Sequence, residues 1–135
     1  SMNVVDSSGW LEHVADGPNA NIFSPVLENT AELIVPTISI YEVFKRILQQ
    51  RGEDAALQVA VSMQQGRVVD LDTSLALTAA KLSANLKLPM ADSVMLATAR
   101  TYGALLWTQD AHFKDMDGVR YFPKPQTTPT SEDTG

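Results

Sequence analysis

Short apolar runs alternate along the chain with longer segments of helical periodicity, and this alternation restricts the fold more than any other feature. The predicted buried strands are Val4–Val5, Leu33–Val35, Val68–Val69, Ala104–Trp107 and, as a shorter edge strand, Val119–Phe122. Helices are predicted at about 7–15, 22–29, 38–50, 54–64 and 91–102, and a core-facing stripe at Leu75, Ala79, Leu82 and Leu86 predicts another. Strands separated by helices imply right-handed crossovers. We therefore predict an α/β protein, a three-layer α/β/α sandwich with a mostly parallel sheet of about five strands.

The length of 135 residues suits one domain. We expect the folded domain at 2–124 and a disordered, Pro- and Thr-rich acidic tail at 125–135, where apolar periodicity is absent. Ser1, before Met2, is expected to be a cloning remnant. The N-terminus lacks a signal-peptide pattern, and no segment approaches the ~20 apolar residues that span a bilayer. A cytoplasmic protein without membrane association is expected.

Four acidic residues mark one edge of the predicted sheet. Asp6 ends the first strand, Glu42 lies in the first turns after the second, Asp92 opens the helix before the fourth, and Asp110 follows the fourth. The carboxyl ends of parallel strands and the amino ends of the crossover helices share this edge, where ligands bind. Converging carboxylates repel one another unless a cation lies among them. Because the chain has no cysteine, oxygen ligands favour Mg²⁺ or Mn²⁺ over zinc.

Each of these acids also has an ordinary structural explanation. Asp6 could cap the helix that follows it, Asp92 suits the positive end of a helix dipole, and Asp110 suits a turn. Glu42 is the weakest candidate, because it lies opposite the apolar stripe of its helix, where solvation and pairing with Arg46 would explain it. The metal-site hypothesis therefore depends on all four lying at one edge.

Other constellations receive less support. His112, beside Phe113, is interpreted as a packing residue or as a group that supports the ligands, and Asp72 as a helix cap. Gly-rich nucleotide-binding motifs are absent. The strongest alternative from another class is a phosphoacceptor receiver domain, which would leave Glu42 and Asp92 unused. The residues that such a domain would use are Asp6 for metal, Asp70 as acceptor, Thr108 as switch and Lys124 as the lysine.

Four segments carry a resemblance to a known family. They are VVDSSGWLE at 4–12, PTISIYEV at 36–43, LPMADS at 88–93 and LWTQDAHF at 106–113. Together they resemble the PIN domain, in particular the VapC-type toxins of bacterial toxin–antitoxin pairs, and the resemblance covers essentially residues 2–124. It implies a parallel α/β/α fold and the activity of an Mg²⁺- or Mn²⁺-dependent endoribonuclease. A PIN domain that binds RNA without cleaving it is the second alternative.

The resemblance also assigns roles to residues. Asp6, Glu42, Asp92 and Asp110 would form the acidic quartet, with Asp6 and Asp92 as the main metal ligands, so that Glu42 would face a cleft rather than solvent. The residues expected to support this quartet are Ser8 and Thr108, which would orient carboxylates or a coordinated water, and Asp115 as an auxiliary acid. The basic residues that project from the same helices toward flanking phosphates are Lys45, Arg46 and Arg100.

The resemblance implies partners as well. The RNA substrate would be a transfer or ribosomal RNA loop, and a VapB-type antitoxin would cover the early helices and enter the acidic cleft. The toxin itself is expected to be a homodimer. The net charge of −6 argues against broad, charge-driven coating of RNA. Sixteen acids less the quartet and the tail residues Glu132 and Asp133 leave ten acids against ten bases, which locates the excess in a metal site and a tail.

Overall fold

The computed structural model describes residues 1–125, so the predicted tail lies outside the described residues except for Pro125. Within residues 1–125 the sheet has five strands, all parallel, in the order β3-β2-β1-β4-β5. The strands are β1 Asn3–Val5, β2 Leu33–Pro36, β3 Arg67–Val69, β4 Leu105–Thr108 and β5 Val119–Tyr121. Each apolar run of the sequence forms a strand at its predicted place, and β5 lies at an edge of the sheet as expected.

The same part of the chain contains six α-helices, each close to its predicted position. They are α1 Ser7–Val14, α2 Ala20–Glu28, α3 Thr37–Arg51, α4 Glu53–Met63, α5 Thr73–Leu86 and α6 Met90–Thr101. Asp72 caps α5, since its Oδ1 accepts a hydrogen bond from Leu75 N at 2.9 Å. None of the described helices is both long and apolar enough to cross a membrane.

Alternate residues of the central strands point to opposite faces and nucleate two apolar clusters. Val4 packs with buried side chains of α5 and α6 on one face of the sheet. Val5, its neighbour, packs with Trp10, Phe23 and the buried side chains of α3 and α4 on the other face. This arrangement confirms the three-layer α/β/α sandwich and explains why β1, which is buried by helices on both sides, is apolar throughout its core positions.

The strand order separates this fold from a receiver domain. A receiver-type sheet has the order 2-1-3-4-5, which places the third strand beside the first. Here β3 is an edge strand, and β2 lies between it and β1. Asp70, which follows β3 and is exposed, therefore cannot share a site with Asp6. The receiver interpretation is wrong because the strands beside β1 in the sheet are β2 and β4, not β2 and β3.

The apolar stripe of α5 is buried over only part of its length. Leu75 and Ala79 are buried and Leu82 is partly buried against the α6 face, but Leu86 is 39 % exposed in the last turn. The prediction of a stripe that faces the core throughout is wrong at that end. Helical periodicity identifies which side of a helix is apolar, but it does not show how many turns of that side another element covers.

Gly9 allows α1 to approach β1 and α2 closely. A Cβ atom at this position would lie 2.6 Å from Val5 Cγ1 and 2.8 Å from Phe23 Cδ1, and both atoms belong to fully buried side chains. We expect Gly9→Ala to lower the free energy of unfolding by about 1–3 kcal/mol, because overpacking in a core forces neighbours off their preferred rotamers. Urea unfolding would measure the loss.

A double-mutant cycle supplies the control for this steric explanation. In a Val5→Ala background the Cγ1 atom is missing, so Gly9→Ala should cost less there than in the wild-type chain. An equal cost in both backgrounds would show that the penalty does not arise from this contact.

Candidate metal centre

A cleft of about 670 Å³ opens at the carboxyl edge of the sheet, beside the first strand. It lies where the chain leaves β1 and β4 in opposite directions, which is the topological switch point of such sheets. Helices α1 and α3 supply most of its lining, and the loop after β4, the start of α6 and the segment after β5 supply the rest. The acidic residues that line the cleft are Asp6, Glu12, Glu42, Asp92 and Asp110. The four predicted acids therefore share one cleft.

Asp6 lies at the bottom of this cleft and is 2 % exposed. Its carboxylate does not cap α1, so the capping explanation is wrong. Instead, Asp6 Oδ2 accepts hydrogen bonds from Ser8 Oγ at 2.8 Å and from Thr108 Oγ1 at 2.9 Å. Thr108 Oγ1 in turn accepts from Asp110 N at 2.9 Å, so one hydroxyl links two acids of the cluster. Ser8 and Thr108 thus stand against Asp6, where the resemblance expects them.

Burial raises the pKa of Asp6, because the low-polarity surroundings disfavour its charged form. The hydrogen bonds from Ser8 and Thr108 act in the opposite direction, and the nearby charge of Asp110 adds to the increase. The two hydroxyls therefore help to keep a buried carboxylate ionised, which is the form that binds a cation.

Asp92, Asp110 and His112 form the closest group of ligand-type atoms in the described residues. One atom from each lies within 4.8 Å of the others. His112 Nδ1 is 3.0 Å from Asp92 Oδ2 and 3.2 Å from Asp110 Oδ1. Asp92 comes from the first turn of α6, whereas Asp110 and His112 belong to the turn after β4. Asp110 also accepts a hydrogen bond from His112 N, so it stabilises the turn as well.

The pKa of Asp92 is raised to about 6, chiefly by burial and then by the negative charges of Asp6 and Asp110. Contact with His112 lowers it in part. The hydrogen bond to Asp92 raises the pKa of His112, and the charge of Asp110 contributes. These mutual shifts indicate that three carboxylates lie near enough to repel one another.

Glu42 lines the cleft from α3 and, like Asp6, lies outside this closest group. Its Oε1 accepts a hydrogen bond from Ser7 Oγ at 2.7 Å. Residues 1–125 contain no ion pair between Glu42 and Arg46, so the pairing that helical spacing suggests is not formed. The position opposite the apolar stripe of α3 faces the cleft, which agrees with the expectation from the resemblance.

The basic candidates divide into two groups. Lys45 and Arg46 line the cleft, as do Arg51 and Lys124. Arg100 does not, and this prediction is corrected: it lies eight residues after Asp92 on α6, about 12 Å along the helix, toward the opposite edge of the sheet. Its guanidinium donates to the Asp117 carbonyl oxygen at 3.3 Å in the turn that precedes β5.

Asp115 also stands apart from the site. This residue is exposed, adopts a left-handed conformation with φ of 65° in the turn before β5, and does not line the cleft. The turn places its backbone beyond the short helix Ala111–Phe113, so a role as auxiliary acid receives no support from its position.

A buried amide network beside the acids is invisible in the sequence. Gln109 is 6 % exposed and donates from Nε2 to the Ser8 carbonyl oxygen at 3.4 Å. Asn19 Nδ2 donates to Gln109 Oε1 at 3.1 Å and to the Pro123 carbonyl oxygen at 3.2 Å. These bonds hold the loop after β4, which carries Asp110, against α1 and the start of α2. Asn19 lies outside the four segments of the resemblance, and Gln109 lies within one of them without a role assigned to it, so only the tertiary contact reveals the network.

The donor set fits a divalent cation. Asp6, Asp92 and Asp110 carry up to three negative charges, and within residues 1–125 the only cationic group paired with any of them is His112, whose side chain is 59 % exposed. Desolvated carboxylates that repel one another are stabilised when a hard cation accepts their oxygen atoms. His112, which is interpreted from the sequence as a packing or supporting group, could contribute a nitrogen donor. The sequence feature that indicates this is its position two residues after Asp110 in the turn that follows β4.

Solved structures with the same architecture include three toxin–antitoxin proteins. A toxin–antitoxin complex from Klebsiella pneumoniae superposes with a TM-score of 0.72 at 19 % identity and covers 88 % of this chain and 96 % of its own. DNA-bound VapBC from Salmonella typhimurium gives 0.72 at 18 % identity, over 91 % and 98 %. VapC20 of Mycobacterium tuberculosis, a toxin that cleaves the sarcin–ricin loop, gives 0.68 at 15 % identity, over 84 % and 92 %. At these identities the likeness shows the fold.

Sequence comparison gives the family directly. Comparison with curated protein sequences yields no significant match. The family model described as PIN domain, however, matches residues 4–119, which include the whole acidic cluster and the first four strands apart from Asn3, and end at the first residue of β5. The fold, its VapC-toxin structural neighbours and this match agree, and the chain belongs to the PIN domain family.

Proposed function

We propose that this protein is a metal-dependent endoribonuclease, a toxin of the VapC type that hydrolyses RNA phosphodiester bonds. The observation that carries the proposal is the burial of Asp6 and Asp92 beside Asp110 in one cleft at the switch point of a PIN fold. Ionised carboxylates in such surroundings are unfavourable by themselves. Their accumulation is reasonable where a cation and a phosphate bind together, because the cation reverses the local charge.

Each acid has a proposed role that follows from its position. Asp6 and Asp92 are the main metal ligands, since they are the most buried of the four. Asp110 completes the cluster beside Asp92, and Glu42 acts from the α3 side directly or through water. Ser8 and Thr108 hold Asp6 in a fixed rotamer and keep it ionised. Supporting hydrogen bonds of this kind orient metal ligands and tune their basicity.

Bound Mg²⁺ or Mn²⁺ would polarise the phosphoryl oxygen, activate a water for in-line attack and stabilise the leaving 3′ oxygen. The protein contributes the position of the substrate. Lys45 and Arg46 follow Glu42 on α3 and line the same cleft, so they are placed to contact phosphates next to the scissile bond. Along α3, the lining of the cleft therefore changes from the acidic Glu42 to the basic Lys45 and Arg46.

The proposed partners follow from the proteins that share this architecture. Structures from Klebsiella pneumoniae and Salmonella typhimurium are complexes of toxin and antitoxin. By analogy, a VapB-type antitoxin would block this cleft and neutralise the activity, and the toxin would form a homodimer. The proposed substrates are structured transfer or ribosomal RNAs, in line with VapC20, which cleaves the sarcin–ricin loop.

Cleavage of a structured RNA by purified protein tests the proposal. We expect cleavage with Mn²⁺ or Mg²⁺ and none with excess EDTA. Asp70→Asn, which changes an exposed acid outside the cleft, should cleave like the wild-type protein. Binding of RNA without cleavage under every metal condition would instead indicate the alternative of a PIN module that only binds RNA.

The hydroxyls behind Asp6 give a graded prediction. Ser8→Ala and Thr108→Val each remove a donor to Asp6 Oδ2, so the rate of cleavage should fall by about 10- to 100-fold with Mn²⁺ present. Initial rates at several Mn²⁺ concentrations would measure it, and added metal should restore part of the loss.

Ser83→Ala is the matched control for these variants. Its Oγ donates to the Leu88 carbonyl oxygen at 2.7 Å, away from the cleft, so this hydroxyl should be dispensable for cleavage. Unchanged rates in both Ser8→Ala and Thr108→Val would show that Asp6 does not depend on these contacts.

A further inference from the structure

Tyr41 is a large aromatic residue that the fold does not use. Its side chain is 60 % exposed, and it belongs to neither of the apolar clusters in the described residues. It lines the acidic cleft and immediately precedes Glu42 in α3. A single exposed aromatic side chain is ordinary on a protein surface. Tyr41, however, lies in the same cleft as the acidic residues, where its ring is available to a ligand of that cleft.

The surroundings of the ring combine stacking and positive charge. Lys45, one helical turn further along α3, places its Nζ over the Tyr41 ring at 5.8 Å from the centroid. The ring nevertheless remains 60 % exposed. Arg46 lines the cleft next to it. An exposed π-face with cations beside it is the arrangement by which proteins hold single-stranded nucleic acid, because the ring stacks on a base while the cations contact the adjoining phosphates.

We propose that Tyr41 stacks on an unpaired base beside the scissile phosphate and thereby selects single-stranded segments of RNA. The inference rests on the proposed function and adds a specificity-determining residue to it. Bases within a duplex already stack on their neighbours and offer no free face, so the ring distinguishes loops from helices. Lys45 and Arg46 then contact the phosphates on either side of the stacked base.

Binding measurements that do not require cleavage test this inference. Fluorescence anisotropy would measure the binding of a short unstructured oligoribonucleotide, and of the duplex that contains it, in the presence of Mn²⁺. All proteins in this experiment carry Asp6→Asn. Adding Tyr41→Ala should raise the dissociation constant for the single strand by about 5- to 150-fold, whereas Tyr41→Phe should keep it within about twofold. Affinity for the duplex should stay unchanged.

Two controls separate stacking from a general loss. Val61→Ala removes an exposed apolar side chain of α4 outside the cleft and should not alter binding. The second control is a set of oligonucleotides with an abasic site at successive positions. At one position only, the Tyr41→Ala protein and its parent should bind with the same affinity, because the single base that stacks on the ring is then missing.

Three results would overturn the inference. They are equal affinities of the Tyr41→Ala and parent proteins for the single strand, equal losses for single strand and duplex, and a loss in Tyr41→Phe as large as in Tyr41→Ala. The first is also the result expected if the ring contacts a protein instead of RNA. Failure of the wild-type protein to cleave any RNA with Mn²⁺ would count against the proposed function. The binding measurements do not depend on cleavage, so the two failures can be told apart.

Discussion

Asp6→Asn is expected to lower the rate of RNA cleavage by at least about a hundredfold in the presence of Mn²⁺. Loss of a group that supports a metal ligand lowers metal affinity or activity by about 10- to 100-fold, and removal of a buried ligand itself should lower activity at least as much. Asparagine keeps the shape of the side chain but removes the charge that attracts the cation. Single-turnover cleavage of a labelled RNA would measure the effect.

The control for this prediction is Asp54→Asn, the same exchange at an exposed position in the first turn of α4. It should retain full activity. Circular dichroism and urea unfolding should show that the Asp6→Asn protein is folded, because burial raises the pKa of Asp6 and a neutral side chain relieves that penalty. A folded Asp6→Asn protein that cleaves as fast as the wild type would contradict the assignment of this acid.

Asp92→Asn is expected to stabilise the metal-free protein at neutral pH. The pKa of Asp92 is about 6 in the folded protein, against an ordinary value of 3.8, so its ionisation opposes folding. The stabilisation that neutral Asp92 provides is complete below about pH 4 and is lost as the pH rises through 6. At pH 8 the free energy of unfolding of the variant should therefore exceed that of the wild type by up to about 3 kcal/mol, a figure that already includes the favourable contact with His112.

Urea unfolding in EDTA at several pH values would measure this difference, which should vanish below about pH 4. Mn²⁺ at about a thousand times its dissociation constant should then reverse the order of stability, because it stabilises the folded state by about 4.1 kcal/mol and only the wild type retains the site. A variant that is less stable than the wild type at pH 8 in EDTA, or equal stabilisation of both proteins by Mn²⁺, would contradict the account of Asp92.

Local patterns predict the elements of this fold well because the strands are buried on both faces. Val4 and Val5 belong to different apolar clusters, so their run must be continuous, and such runs are easy to find. The extent of burial is a tertiary property. Leu86 continues the apolar stripe of α5 and is nevertheless exposed, since periodicity carries no information about where the neighbouring element ends.

In the candidate site, too, local sequence predicts some features and only tertiary contacts reveal the others. The positions of Asp6 and Asp110 follow from strand ends, because parallel topology brings such ends together. The hydrogen bond from Thr108 to Asp6 joins residues 102 apart in the chain, and no periodicity reveals it. Arg100 fails as a phosphate contact for a simpler reason: it shares a helix with Asp92 but lies at the other end.

The chemical identity of the cleaved RNA ends tests the proposed reaction most directly. Metal-assisted attack of water with departure of the 3′ oxygen leaves a 5′-phosphate and a 3′-hydroxyl. Cleavage by an RNA's own 2′-hydroxyl leaves a 2′,3′-cyclic phosphate and needs no metal. Mass spectrometry of the products should find 5′-phosphate ends that appear with Mn²⁺ and disappear with EDTA. Cyclic phosphate ends, or cleavage that persists in EDTA, would contradict a metal-dependent ribonuclease.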